Sequence, residues 1–151
     1  RTLKFNGRLG IVLSNSIASI ETHSKARKWL MDNMRIVAVF DLPPNVFAET
    51  GVNTTLVIAY KPEKEKLEAL KEDDYEIFFK NIEKVGYEVK TKKRIKYFDP
   101  IYKVDYETFE TKINSDGRAM LDEDFTETID EFKKWCNLQE KTLQDLFIKE
   151  R

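Results

Sequence analysis

Five cations in a seven-residue span, Lys90, Lys92, Lys93, Arg94 and Lys96, stand among three aromatic residues, Tyr87, Tyr97 and Phe98. Lysine and arginine neutralise backbone phosphates and aromatic rings stack on bases, so these residue types together make a nucleic-acid contact. They equally make an exposed edge strand that charge protects from aggregation. Two other side chains occupy positions where chemistry is expected. Asn15, within Ser14-Asn15-Ser16, follows an apolar run, and the loop at the carboxyl end of such a strand is where open α/β sheets hold ligands. A plain strand-to-helix connection would use the same residues. Phe47 falls in the loop spanning residues 45–53 between two apolar runs, where a ring serves either to anchor the loop or to stack on a ligand.

The remaining residue types narrow the chemistry. His23 is the one histidine and Cys136 the one cysteine, so a metal site is not expected and a disulfide framework is excluded. Asn114-Ser115-Asp116-Gly117 reads as a turn and lacks the later bidentate glutamate of a calcium loop. Gly7 and Gly10 precede and begin a strand, whereas a phosphate or dinucleotide cradle places its glycines after a strand and before a helix. A net charge of -1 with 35% charged residues gives no global basic signature, which leaves nucleic-acid contact to a local patch or a partner. No apolar run approaches the length of a membrane span, and no leader pattern opens the chain, so a cytoplasmic protein is expected. The first residue, Arg1, suggests a piece of a longer chain.

These side chains need elements to position them. Leu9 to Leu13, Ile36 to Asp41 and Thr54 to Tyr60 are apolar runs that do not alternate with polar residues, as expected of strands covered on both faces in an α/β sheet. The second and third should pair as an antiparallel ribbon at the sheet edge. Pro43-Pro44 ends the second, because proline donates no ladder hydrogen bond. A helix is expected from residue 22 or 24 to about 33, with Ala26, Trp29, Leu30 and Met34 inward and Lys25, Arg27 and Lys28 outward. From Pro62 the composition turns to charge. Residues 63–71 read as a linker helix, and 75–85 as another helix with Ile77, Phe78 and Ile82 inward and Gly86 as its stop. Phe125, Ile129, Phe132 and Cys136, then Leu143, Leu146 and Phe147, predict amphipathic helices over 124–135 and 138–149 that bury their stripes against the body or a partner.

In family order, several stretches carry a resemblance: Arg8-Leu9-Gly10-Ile11-Val12-Leu13, Ala26-Arg27-Lys28-Trp29-Leu30, Ile36 to Pro43 with Val46-Phe47, and Thr50-Gly51-Val52-Asn53-Thr54. With Tyr75-Glu76-Ile77-Phe78 and Lys84-Val85-Gly86-Tyr87, they make residues 8–87 resemble the later half of adenine-N6 DNA methyltransferases, in particular the modification subunit of type I restriction-modification systems. The resemblance implies an α/β chain: the carboxyl-terminal part of a doubly wound sheet that uses S-adenosylmethionine (SAM), over residues 1–61, followed by a charged, mainly helical region over 62–151 with a helical tail. It makes Phe47 the loop aromatic that contacts the flipped target base and Asn15 part of a substrate-side loop, where the family usually has proline and glycine in place of Ser14 and Ser16. It raises Lys90, Lys92, Lys93, Arg94 and Lys96 as DNA phosphate contacts.

The implied partners are DNA, a specificity subunit docked by the tail helices, and a restriction subunit. The implied cofactor is SAM, bound by a glycine motif that lies earlier in the family's chain, as does the catalytic Asn-Pro-Pro-aromatic segment. Asp41-Leu42-Pro43-Pro44-Asn45 is not that segment, since Leu42 separates the acid from the prolines and Asn45 replaces the ring. No catalytic, cofactor or metal residue is therefore expected here, and the fragment alone should be inactive. The other class of function is a non-catalytic interaction module that keeps only the edge of a methyltransferase fold.

Overall fold

A computed structural model describes residues 3–14, 24–44, 46, 47 and 53–149. Four strands form one mixed sheet: β1 (Arg8–Ser14), β2 (Arg35–Leu42), β3 (Thr54–Tyr60) and β4 (Phe78–Asn81), in the order β1-β3-β2-β4. β3 runs antiparallel to both β1 and β2, and β4 runs parallel to β2. The expected β2–β3 antiparallel pair forms, but it lies inside the sheet, since β1 and β4 take the two edges. The stretch over 75–85 is not a helix. Phe78 and Ile82 do face inward, but from β4 and the residue after it, because a short parallel strand can pair with β2 while its ring enters the core.

Around the sheet lie helices α1 (Ser24–Asn33), α2 (Lys64–Glu72), α3 (Phe125–Cys136) and α4 (Lys141–Phe147), and a separate two-stranded hairpin of β5 (Tyr87–Lys92) and β6 (Ile95–Pro100). One sheet face meets Leu30 of α1 and Met34 just after it, together with Ile36, Val57 and Ala59. The expected inward face of α1 is only partly right. Ala26 and Trp29 are exposed while Arg27 is half-buried, so the sheet takes the stripe through Leu30 and Met34.

The opposite face is covered by α3 and α4. Phe40 and Phe78 of the sheet meet Phe132, whose ring centroid lies 6.3 Å and 5.5 Å from theirs, and Phe132 in turn meets Phe147 at 6.1 Å. Such ring pairs contribute about 0.5–1.5 kcal/mol each beyond their buried area. Cys136 and Leu143 complete this core, and burial pushes the Cys136 thiol up to about 12, so it is an inert packing residue at neutral pH. The tail stripe is therefore divided: Phe132 and Cys136 are covered by the chain itself, whereas Phe125 and Ile129, a turn or two earlier, remain exposed.

What fastens the tail is one row of side chains crossing three strands. Arg8 of β1, Tyr60 of β3 and Arg35 of β2 are register partners. Arg35 is wholly buried; its Nε donates to Glu140 Oε1 at 2.9 Å, its NH1 donates to the carbonyls of Ile36 and Glu76, and its guanidinium lies 4.2 Å from the Tyr75 ring centroid. Tyr60 Oη donates to the same Glu140 oxygen at 2.9 Å. Glu140 is the N-cap of α4, and at the other end of that helix Arg8 donates to the Leu146 carbonyl. A carboxylate at the amino end and a guanidinium at the carboxyl end both complement the helix dipole. A β-bulge at Val37 accompanies the arrangement: Ile36 pairs with Ala59 and Ala38 with Ile58, so Val37 is the extra residue and joins the α3–α4 core.

Burial acts to raise the Glu140 carboxyl pKa, but hydrogen bonds from Arg35 and Tyr60 outweigh it and hold the group below its ordinary 4.5. A carboxylate depressed in the folded state contributes stability above its unfolded pKa and loses that contribution as pH falls through the folded value. Glu140→Gln should cost about 3 kcal/mol, the lower end for breaking a buried pair because Glu140 is partly exposed. Urea denaturation at neutral pH measures this loss. Below pH 4.5 the wild type should lose stability more steeply than the variant, so that the two curves converge.

Candidate nucleic-acid interface

Thr54, the first residue of β3, pairs with Ser14 on one side and Leu42 on the other. The carboxyl ends of β1 and β2 therefore share one rim of the sheet, and β4 adds its own through the Asp41–Asn81 register. Loops that leave carboxyl ends together form the usual ligand edge of an open α/β sheet. The Asn15 loop leaves from this rim, although Asn15, His23, Asn45 and Gly51 lie outside the described residues. Across the strands at the rim, Thr55 Oγ1 donates to Asp41 Oδ1 at 3.1 Å.

Phe47 belongs to the loop after β2, is 42% exposed and is not part of either core cluster. The loop is tied from the side by Tyr87, whose Oη donates to the Val46 carbonyl at 2.6 Å. Tyr87 opens β5. Gly86 before it has φ +86, and a Cβ there would sit 3.3 Å from Leu121 Cβ, so glycine is required by both backbone and space. Between the loop and the hairpin base runs a cleft of about 370 Å³, lined by Pro43, Pro44, Lys84, Tyr87, Ile101 and Asp122 among others.

Behind the cleft, Asp124 fixes the start of α3. It occupies the N-cap, yet its carboxylate accepts from the Glu83 and Lys84 backbone amides, both at 2.9 Å, while Glu123 caps the Thr126 amide instead. Burial acts to raise the Asp124 carboxyl pKa, and the two amides more than reverse that, leaving it low. The α3 helix, the cleft and the hairpin base thus share one support.

The hairpin separates the five cations. Register partners share a face, so Lys90, Lys92, Ile95 and Tyr97 lie on one side and Lys96, Phe98 and Tyr87 on the other. Phe98 packs edge-on against Tyr87 at 4.8 Å. Lys90 is held by its neighbours: its Nζ lies 2.6 Å from Asp99 and 3.1 Å from Glu88, and these bonds raise its pKa. Lys92, Lys93, Arg94 and Lys96 have no ion-pair partner among the described residues. The turn itself is Lys93-Arg94, with φ of 52° and 66°. Both residues occupy the left-handed region that a two-residue hairpin requires and that normally selects Asn-Gly, at about 1 kcal/mol or more each for ordinary side chains.

Sequence reasoning singled out Phe47 and the cation cluster, and the fold joins them through Tyr87. It missed Arg35, Tyr60, Glu140 and Asp124. A charged residue heading an otherwise apolar run was the one available signal for Arg35; nothing local pointed to a partner 105 residues away. Among the described residues there is no group of three His, Cys, Asp or Glu able to hold a metal, and no helix long and apolar enough to cross a membrane.

No curated protein matches the chain. Among the solved structures that resemble parts of it are the following two. One, from work titled as the structural basis of complex assembly and conformational transition of the type I R-M system, is 23% identical over 39% of this chain and 12% of that one, with a TM-score of 0.37. The other, a modification subunit of a putative type I restriction enzyme from Vibrio vulnificus YJ016, is 13% identical over 76% of this chain and 26% of that one, with a TM-score of 0.33. The present chain thus spans about an eighth and about a quarter of those two chains. The model of the family described as N-6 DNA Methylase matches residues 1–145, nearly the whole sequence, and the chain accordingly belongs to the N-6 DNA methylase family.

Proposed function

We propose that the chain is part of the modification subunit of a type I restriction-modification system, a SAM-dependent methyltransferase acting on the N6 amine of adenine in DNA. The observation that carries this reading is Phe47: in a chain of the N-6 DNA methylase family, an exposed ring belongs to the loop that follows β2, one of three strands ending on the same side, at the position resembling the family's base-contacting aromatic. A target base reaches such an enzyme by leaving the duplex stack, and a ring at the rim receives its face. The resemblance assigns Asn15, which follows β1 in the sequence, to a substrate-side loop. Residues 1–61 supply strands β1, β2 and β3 of the doubly wound catalytic sheet, and 62–151, expected to be mainly helical, instead add its edge strand β4 and the β5–β6 hairpin along with helices α2, α3 and α4. The exposed Phe125 and Ile129, one turn apart on α3, are the face that docks the specificity subunit, with the restriction subunit joining through the assembled complex.

Gly10 lies within β1 with Ile58 Cδ1 3.5 Å from where its Cβ would be, and Gly86 and Gly117 sit in a hairpin base and a turn, so none heads a helix after a strand. SAM is held by the remainder of the protein, and no step of the reaction is assigned to residues here. The 151-residue chain alone should show no heat of SAM binding in titration calorimetry. Micromolar affinity would sink this assignment of the cofactor site.

In the intact enzyme Phe47→Ala should weaken capture of the extruded adenine by about 1–3 kcal/mol, the value of one stacked base. SAM affinity should not change. Because the ring is exposed, stability should shift by no more than about 0.5 kcal/mol. Methylation kinetics, SAM titration and thermal melts of the one variant check all three, and a parallel loss of stability and every activity would make Phe47 a structural residue instead.

A further inference from the structure

We infer that the β5–β6 hairpin is an arm that grips the phosphates of duplex DNA beside the extruded base, with Lys92, Lys93, Arg94 and Lys96 as its contacts and Lys90 excluded. The inference rests on the DNA methyltransferase reading and goes beyond it by assigning the duplex contact to one element and by dividing the five cations.

Three observations converge on the arm. First, residues 91–98 are all exposed, on both faces of the ribbon, with Ile95 at 70%, and no described element covers them. An isolated two-stranded ribbon is marginal in water, so its retention with bare faces fits an element completed by something it binds. Second, charge is concentrated at the free end. The four unpaired cations flank or form the turn, whereas the carboxylates Glu88 and Asp99 lie near the base and are both engaged by Lys90. An acidic protein surface could also meet a basic tip. DNA is favoured because the base of the arm is fixed to the Phe47 loop, through Tyr87 and Val46, and so to the rim that receives a base. Third, the turn places two long cationic side chains in the left-handed region, where glycine or asparagine would fit with less strain. Charge at the tip has prevailed over turn chemistry.

The geometry also sets a reach. From Tyr87 to Lys92 the strand spans about 17 Å, which corresponds to roughly five base pairs along the duplex axis. A ribbon of two strands is narrow enough for the major groove, which is about 12 Å wide, so the tip can approach phosphates on either side of it. The cations on the two faces, Lys92 on one and Lys96 on the other, then point toward opposite groove walls.

The test is the salt dependence of duplex binding by the 151-residue chain, read by fluorescence anisotropy with a labelled duplex of about 20 base pairs. Four phosphate contacts predict a slope of log affinity against log salt near -3.6, a loss of about 150-fold between 50 and 200 mM salt. Lys92→Gln, Lys93→Gln, Arg94→Gln and Lys96→Gln should each reduce the slope by about 0.9, and the quadruple variant should abolish it. Lys25→Gln with Lys28→Gln on α1 should leave it unchanged. Glu88→Gln with Asp99→Asn frees Lys90 and should steepen the slope by about 0.9. Circular dichroism melts confirm that each variant remains folded. Wild-type binding that the quadruple variant retains, or no duplex binding by the folded wild type, overturns the assignment of the arm. Neither result touches the Phe47 reading, which fails on its own kinetic test.

Discussion

A guanidinium with no exposure to water is the constraint from which the rest of this structure follows. A guanidinium keeps its charge inside a protein, so the buried position of Arg35 demands an anion and acceptors for its remaining donors. Glu140 supplies the anion, the Ile36 and Glu76 carbonyls accept from NH1, and the Tyr75 ring covers the flat face. These partners come from three parts of the chain: β2 itself, the connection leading into β4, and the start of α4. Satisfying one side chain therefore fixes the start of β2, the approach to β4 and the beginning of α4 together, and Tyr60 and Arg8 extend the same row to β3 and β1.

The aromatic core and this polar row have different tasks on one sheet face. Phe40, Phe78, Phe132 and Phe147 supply non-directional burial, which tolerates sliding and rotation of α3 and α4. The row contributes direction, since a bidentate guanidinium accepts few geometries. With the tail held in place, Asp124 at the head of α3 meets the 83–84 amides and sets the base of the hairpin. A chain of contacts thus runs from the buried charge to the rim where the base-contacting loop of an N-6 DNA methylase is expected.

The rim itself owes its form to strand direction. β1, β2 and β4 all end on the same side because β3 runs against its two neighbours, and Thr54 sits between Ser14 and Leu42. The carboxyl ends of three strands are thereby brought to one side of the sheet, and Tyr87 ties the hairpin to the Val46 carbonyl of the loop that follows β2. The strain accepted in the Lys93-Arg94 turn is placed at the far end of that assembly, away from both cores.

The sequence by itself determined strands β1, β2 and β3, helix α1, the charged helix after Pro62, the amphipathic tail and the family resemblance, since hydrophobic periodicity and helix or strand breakers are local signals. It also placed Phe47 in a loop, whereas the Lys93-Arg94 turn among the cations emerged only in the fold. Only the tertiary structure decided that the stretch 75–85 carries a short strand, Phe78–Asn81, and not a helix: the Phe78 and Ile82 spacing suits either, and a vacant edge of β2 selected between them. The division of the tail stripe, with Phe132 inside and Ile129 outside, depended on where the sheet ended. The pairing of Arg35 with Glu140, and the capture of Lys90 by Glu88 and Asp99 while its four neighbours stay free, depended on distance in space, which residue type and spacing along a chain do not encode.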